Sequence, residues 1–269
     1  ARLVSAGIDP SEAEMDAELL ACRTLGWDRA RLITSWRDEG TISFAAAYDA
    51  LIDRRARREP ISQILGEREF WDLPFIVTPD VLTPRPETEG IIEAVLDHCR
   101  DPRAIVDVGT GSGCLAVTLA REFPRAHVTA VDVSPAALAI AERNAARHGV
   151  LERVSFLRSS MLEETPEADL VVSNPPYVPD GDRASLPAEV RDHEPPEALF
   201  AGVDGLDRIR DLIAAAPGRL RRGGWLVFEC GVGQERAIRD IMARAPALKL
   251  VAIRPDLAGI PRTVIAERA

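Results

Sequence analysis

An α/β fold built on a seven-stranded, mostly parallel sheet, with a small helical domain ahead of it, is predicted by three observations. Short apolar runs alternate with helical patterns through the later two thirds of the chain, a glycine-rich turn joins one such run to its helix, and the chain before residue 78 reads as helix. The run Ala104-Ile105-Val106-Asp107-Val108 has the near-continuous apolar character of a parallel strand covered on both faces. It leads into Gly109-Thr110-Gly111-Ser112-Gly113, and a helical pattern follows from Cys114 through Leu115, Val117 and Leu119 to Phe123. A second strand, His127–Val131, ends at Asp132, about 25 residues beyond Asp107, an interval that holds one strand, one helix and one strand. Ser134-Pro135 then reads as an N-cap with proline at the first helical position, and Gly149 closes that helix. Later strands are expected at Val154–Leu157, Asp169–Ser173, Trp225–Cys230, Leu248–Ile253 and Thr263–Glu267.

In the helical beginning, Ser11-Glu12-Ala13-Glu14 has the form of a capping box, and Met15, Leu19 and Cys22 recur on one face until Gly26. A further helix is expected from Ser43 to Arg58 with Phe44, Tyr48, Leu51 and Ile52 inward. The run Arg54–Arg58 at its end resembles a nucleic-acid patch, but reads better as a solvated helix terminus whose cations offset the dipole. Glu67–Val77 is patterned as a short β-hairpin. The expected organisation is a helical bundle over 1–66, a hairpin and proline-rich connector over 67–89, and an α/β domain over 90–269.

Composition narrows the function classes. The chain has 269 residues, 46% of them apolar, enough for one large core with an appendage. Lys plus Arg at 33 against Asp plus Glu at 43 gives a net charge of −10, which argues against a duplex nucleic-acid substrate. Four dispersed cysteines, Cys22, Cys99, Cys114 and Cys230, contain no C-x-x-C and read as free thiols of a reducing cytoplasm. Four scattered histidines suggest no metal site. No apolar stretch approaches the ~20 residues of a membrane span. The chain opens on Ala1 rather than Met, as expected of a trimmed or processed chain, and its acidic start is not a signal peptide.

Two motifs carry chemistry. In Gly109-Thr110-Gly111-Ser112-Gly113 the third glycine falls at 113 and Cys114 stands where G-x-G-x-x-G would require glycine, so the pattern is that of S-adenosylmethionine enzymes rather than dinucleotide binders. That cofactor has no pyrophosphate to seat on the helix dipole. Asp132, at the tip of the next strand beside Val133, offers two adjacent acceptor oxygens for the hydroxyls of an adenosine ribose. About sixty residues after the glycine turn, the strand Asp169–Ser173 ends in Asn174-Pro175-Pro176-Tyr177. A planar –NH2 is a poor nucleophile because its lone pair is delocalised. An enzyme that alkylates it must hold both N–H bonds while the nitrogen pyramidalises, and the Asn174 side-chain oxygen and Pro175 carbonyl are two suitable acceptors. The consecutive prolines stiffen the backbone there, and Tyr177 presents a ring against which a planar group packs.

These motifs, with Val81-Leu82-Thr83-Pro84-Arg85-Pro86-Glu87-Thr88-Glu89 in the connector, resemble the HemK/PrmC family of protein-glutamine N5-methyltransferases. The resemblance extends over nearly the whole chain, through Asp16–Leu20, Glu194-Pro195 to Gly205-Leu206, Gly223-Gly224-Trp225 and Asp256-Leu257-Ala258-Gly259. It implies a Rossmann-like class I methyltransferase domain behind an N-terminal helical domain that recognises the substrate. The implied reaction moves a methyl group from S-adenosylmethionine, leaving S-adenosylhomocysteine, to the glutamine of the Gly-Gly-Gln loop in peptide chain release factors. It also implies no direct nucleic-acid partner, no membrane, a monomer and a cytoplasmic location.

On this resemblance Asn174, Pro175 and Tyr177 are the catalytic residues, and Pro176, Arg85 and Glu87 join them in binding substrate. Asp107, Gly109, Thr110, Gly111, Ser112, Gly113, Asp132, Val133, Ser160, Met161 and Asn174 would bind the cofactor. Arg85 and Glu87 equally suit a role in rigidifying the connector. The acidic stretch Asp180, Asp182, Glu189, Asp192, Glu194 and Glu197 suits either steering of a basic partner or a solvated loop.

The chain departs from the family pattern at Thr83, usually aliphatic, at Gln63, commonly aromatic, and at Ser160-Met161, where an acid and a bulky apolar residue are usual. Ser160 is a weaker acceptor for an adenine amino group, whereas Met161 still covers an apolar ring face. A DNA or rRNA exocyclic-amine methyltransferase shares the Asn-Pro-Pro-aromatic signature and is the alternative; a non-catalytic adaptor that keeps only the fold is a third.

Overall fold

The beginning of the chain folds into helices over Arg2–Ser5, Pro10–Leu25, Arg29–Ser35, Ile42–Ala56 and Ile61–Leu65 in the computed structural model, which describes residues 1–35 and 42–269. Leu3, Ile8, Ala13, Leu20, Ile52 and Ile64 are buried together, with Tyr48 and Leu51 packed against them. Tyr48, Leu51 and Ile52 of the Ile42–Ala56 helix therefore face inward as expected, whereas Phe44 lies outside this cluster and stacks on Tyr48. The inward face of the Pro10–Leu25 helix is not the expected one: Met15 and Leu19 are exposed, and Ala13, Asp16 and Leu20 point inward. Its cap is also two residues earlier than expected, since Asp9 accepts the Ser11 N–H at 2.9 Å and Pro10 opens the helix.

Arg55 explains the rotated face. Its guanidinium is 1% exposed and donates to Asp16 at 2.6 Å, to Glu12 at 2.8 Å and to Glu189 at 2.9 Å. A carboxylate buries only where a cation and hydrogen bonds compensate it. The pairing draws Asp16 inward, and the apolar Met15 and Leu19 are turned out. The run Arg54–Arg58 is accordingly not a solvated terminus, because Arg54 pairs with Glu59 and Arg58 donates to Glu189 at 2.7 Å. Residues 187–193, including the short helix Ala188–His193, pack with residues 1–67 as one unit. Gln63 adds a bond from its side-chain nitrogen to the His193 carbonyl at 3.1 Å.

The second unit comprises residues 68–186 and 194–269. The hairpin is formed by β1 (Glu67–Phe70) and β2 (Leu73–Ile76). Its turn residues Trp71 and Asp72 have φ of 53° and 56°, the left-handed pair that matches strand twist in a two-residue hairpin. The large sheet contains β3 (Ala104–Val108), β4 (His127–Asp132), β5 (Val154–Arg158), β6 (Ala168–Ser173), β7 (Leu220–Glu229), β8 (Leu248–Pro255) and β9 (Pro261–Arg268). Their order is β5-β4-β3-β6-β7-β9-β8. Pairings from β5 to β7 are parallel, whereas β9 runs antiparallel to both β7 and β8. All seven strands lie where the sequence predicts them, except that β7 begins at Leu220, before Trp225. Ala168 pairs with Leu220 across an irregularity that absorbs the intervening glycines.

Helices cover both faces. Glu89–His98, Cys114–Glu122 and Pro135–Arg147 bury Ile91, Ile92, Leu115, Leu119 and Ala145 against Val128 and Leu170 on one face. Asp207–Ala215 and Glu235–Ala243 bury Ile209, Leu212 and Ile238 against Val106, Val171 and Phe228 on the other. Each such aliphatic side chain contributes about 1.5–3 kcal/mol by leaving water. The chain passes outward from β3 to β5 on one side and returns to start β6 on the other. The crevice at the carboxyl ends of β3 and β6 is thus the switch point where open α/β sheets bind ligands. No helix among the described residues is long and apolar enough to cross a membrane.

Candidate active site

A cavity opens at that crevice, about 1220 Å³ with the adjoining solvent space included. The glycine turn forms its floor. Gly109 and Thr110 donate their N–H groups to the Val131 carbonyl at 2.8 and 2.9 Å, and Gly111 donates to Asp132 at 3.0 Å. Gly109, Gly111 and Gly113 have φ of 70°, 54° and 80°, conformations that side-chain-bearing residues rarely adopt. A Cβ on Gly113 would lie 2.9 Å from the Ala141 Cβ, whereas one on Gly109 would meet no protein atom within 4 Å. Gly113 is therefore needed for helix packing, and Gly109 leaves space open. Gly113→Ala is expected to cost roughly 2–4 kcal/mol from backbone strain and overpacking, read by urea denaturation.

Asp107 does not border the cavity. It sits fully buried beneath the turn, accepting from the Thr110 hydroxyl at 2.6 Å and the Ala116 N–H at 3.1 Å through one oxygen. Its other oxygen has no partner among the described residues. Burial pushes this carboxyl up to about 7, against the pull of those two donors. A carboxyl raised in the folded state favours the native protein at low pH and loses that contribution as pH rises through the folded value. Asp107→Asn keeps the acceptor and removes the charge. Relative to the parent, it is expected to gain stability at pH 8 and not at pH 4, a difference on the order of 4 kcal/mol at most. Thermal melting at the two pH values measures it.

Asp132 borders the cavity and accepts Gly111 N–H through one oxygen and Ser134 N–H, at 2.9 Å, through the other. Each oxygen keeps a lone pair for an incoming hydroxyl. Val133, Ser160 and Met161 line the same wall, with Met161 at φ 55°. Thr110 and Ser112 line the floor and are buried. Asn144, which carries no sequence signal, fixes the floor: its amide donates to the Ser112 carbonyl at 2.8 Å and pairs with both backbone groups of Ile76.

Asn174, Pro175 and Pro176 line the opposite side of the cavity. The Asn174 amide nitrogen donates to the Thr88 hydroxyl at 2.9 Å, which leaves the Asn174 oxygen as an acceptor. Thr88 donates in turn to Glu229 at 2.7 Å, and the same carboxylate accepts the Tyr177 hydroxyl at 3.1 Å. Burial raises the pKa of Glu229, opposed by these two donors and by the charge of Arg262. Burial likewise raises the Tyr177 phenol, so its proton stays on. The Tyr177 carbonyl accepts from the Gln234 side chain at 3.0 Å, and a Cβ on Gly205 would come within 2.3 Å of that carbonyl. Thr88, Glu229 and Gln234 are residues that sequence reasoning passed over. Glu229 had one available signal, an acid at the carboxyl end of an apolar strand, the same position that singled out Asp132.

Arg85 and Glu87 part company. Arg85 borders the cavity and pairs with the buried Glu194 at 2.6 Å. Glu87 is exposed and does not border it. Thr83 bonds to Glu194 through both side chain and backbone, which explains a polar residue there: burial raises the Glu194 pKa, and Arg85 and Thr83 pull it back. In the acidic stretch, Glu189, Asp192 and Glu194 each pair with an arginine, so half of those carboxylates are neutralised locally.

Comparison with known proteins places this geometry in context. The family model for the methyltransferase small domain matches residues 88–188, and that for the PrmC N-terminal domain matches residues 1–66. A release factor glutamine methyltransferase of Cereibacter sphaeroides is 46% identical over 267 residues, covering 98% of this chain and 94% of the relative. Among solved structures, a methyltransferase from Pyrococcus furiosus superposes with a TM-score of 0.56 at 18% identity, covering 80% of this chain and 98% of the other. The Thermus thermophilus 16S rRNA N2 G1207 methyltransferase, solved with AdoMet and guanosine, gives a TM-score of 0.54 at 19% identity, covering 76% of this chain and 50% of the other. At such identities these two likenesses concern the Rossmann-like fold alone.

Proposed function

Since the chain belongs to the release factor glutamine methyltransferase family, we propose that it methylates the side-chain amide nitrogen, N5, of the glutamine in the Gly-Gly-Gln loop of peptide chain release factors. The cofactor is S-adenosylmethionine and the product S-adenosylhomocysteine. The observation that carries this reading is the polarity of Asn174: its nitrogen is committed to Thr88, so its oxygen faces the task of accepting an N–H.

The residues present fit the cofactor. The floor at Gly109 leaves open the volume a side chain would fill, and Asp132 retains acceptor capacity for two ribose hydroxyls. Val133 and Met161 supply apolar contact, and Ser160 a modest acceptor, for the adenine. When bound, S-adenosylmethionine supplies an electrophilic methyl group on sulfur. The protein's part is positioning. Asn174 Oδ1 and the Pro175 carbonyl hold the two N–H bonds and weaken the conjugation of the nitrogen lone pair. Tyr177, held at its ring hydroxyl by Glu229 and at its backbone carbonyl by Gln234, does not itself border the cavity, and its ring would back the amide plane from beside Asn174 and Pro175. Such near-attack placement is worth about 7–11 kcal/mol of the barrier. The nitrogen becomes acidic only as the new bond forms, and water accepts its proton, so no strong general base is required.

Residues 1–66 would recognise the substrate protein, 67–89 would cover the cofactor, and 90–269 would perform the transfer. Arg85 supports the connector through Glu194, and Glu87 is available to the substrate. The protein would act as a monomer in the cytoplasm without touching nucleic acid directly. Incubation with methyl-labelled S-adenosylmethionine and a release factor, DNA or rRNA tests this reading. Label on the Gly-Gly-Gln glutamine is the expected result; label on nucleic acid, or none, overturns it.

A further inference from the structure

A continuous line of hydrogen bonds runs Asn174–Thr88–Glu229–Tyr177, with Asn174 and Thr88 bordering the cavity and Glu229 and Tyr177 set back from it. Its ends lie within one tetrapeptide, and its middle comes from the connector and from the last residue of β7. Glu229 is 1% exposed and Thr88 2% exposed. Neither is needed for the fold in an obvious way, because replacing both by apolar groups of similar shape removes a buried carboxylate and its desolvation cost. β6 and β7 pair in register through Ser173 and Phe228, so the residues that follow, Asn174 and Glu229, leave adjacent strand ends together.

We propose that Thr88 and Glu229 are positioning residues that set which end of the Asn174 amide faces the substrate; this rests on the glutamine-methylation reading and deepens it. The two hydroxyl donors and Arg262 favour an ionised Glu229 against the opposing effect of burial, and in that state the carboxylate has only acceptor sites, so both hydroxyls that reach it must donate. The Thr88 hydroxyl has a single proton. Once that proton is given to Glu229, the Thr88 oxygen can only accept, and the group that meets it must be the Asn174 –NH2. The Asn174 oxygen is left free for an N–H on the substrate. An amide rotated by half a turn would instead offer N–H to the substrate and would select a carbonyl or carboxylate. The relay therefore converts a buried negative charge into a choice of substrate group, favouring an amide nitrogen over an oxygen acid. Tyr177 is tied to the same carboxylate, so amide orientation and ring placement are set by one residue.

Thr88→Val keeps shape and removes the hydroxyl, and Thr88→Ser keeps the hydroxyl. For Thr88→Val, kcat toward the release-factor glutamine is expected to fall about tenfold or more. Affinity for S-adenosylhomocysteine, measured by calorimetry, is expected to stay within about twofold. Thr88→Ser should restore most of kcat, and Glu229→Gln, which can donate to Thr88 and reverse the relay, should behave like Thr88→Val. The side-chain NH2 resonances of Asn174, followed by 15N NMR, report the relay without turnover. They should move in Thr88→Val and Glu229→Gln and stay in Thr88→Ser. Wild-type protein that fails to methylate the glutamine sinks the parent reading, whereas active wild-type protein with an unimpaired Thr88→Val sinks the relay. Thr88→Ser as slow as Thr88→Val, or unmoved Asn174 resonances, overturns it as well.

Discussion

Asn174→Ala is expected to lower kcat on the order of a hundredfold or more, the scale on which loss of one preorganised polar contact at a reacting group is felt. Much of the cofactor affinity should remain, because the glycine turn and Asp132, which line the other side of the cavity, are untouched and only the contact of Asn174 itself is lost. The reason is geometric: with the Asn174 oxygen gone, one of the two N–H bonds loses its acceptor, and the nitrogen keeps its conjugation and its planarity. Single-turnover methylation of a release factor, paired with calorimetric titration of S-adenosylhomocysteine, separates the two quantities. Activity within a few-fold of the parent would remove Asn174 from its assigned role.

Arg55→Ala carries the largest expected effect on stability. It leaves Asp16, 4% exposed on its side chain, as an uncompensated buried carboxylate and deprives Glu189 of one of two partners. Losing one member of such a buried cluster costs about 3–5 kcal/mol. Urea denaturation should show this as an early transition of the helical unit, with new protease sensitivity over residues 187–193. The double variant Arg55→Met with Asp16→Leu should recover most of the loss, since an apolar pair of similar volume is often no less stable than a buried ion pair. A single variant as stable as the parent would show that the cluster contributes nothing net.

The contrast between these two residues shows what was legible. Asn174 stood in a tetrapeptide whose chemistry is local, and the strand ending before it was marked by apolar residues alone. The glycine turn was equally local, because positive φ and a close helix demand glycine at fixed spacing. The seven strands followed from patterning within each run. Arg55 failed that kind of reading: an arginine among arginines looks solvated, and its burial depends on Asp16 and on Glu189, 134 residues away. The inward face of the Pro10–Leu25 helix was misplaced for the same reason, since Asp16 counts as polar until its partner is known. Thr88 and Glu229 escaped notice because their meaning lies in their hydrogen bonds to each other across 141 positions.

The membership of residues 187–193 in the helical unit bears on the order in which the protein is made. Residues 1–67 leave the ribosome ahead of position 189, so the partner of Arg55 and Arg58 is still untranslated when they emerge. At about 5–20 residues per second, synthesis of the intervening stretch takes roughly 6–25 s. During that time the Arg55 cluster has only Glu12 and Asp16, and the amino-terminal helices are expected to wait in a loosened state. Arrested nascent chains ending before and after residue 193, compared by protease resistance of the first 67 residues, should show the helices tighten only in the longer chain. The helical unit is thus completed only after the segment 187–193 is made, shortly after the Asn174–Tyr177 motif that precedes that segment in the chain.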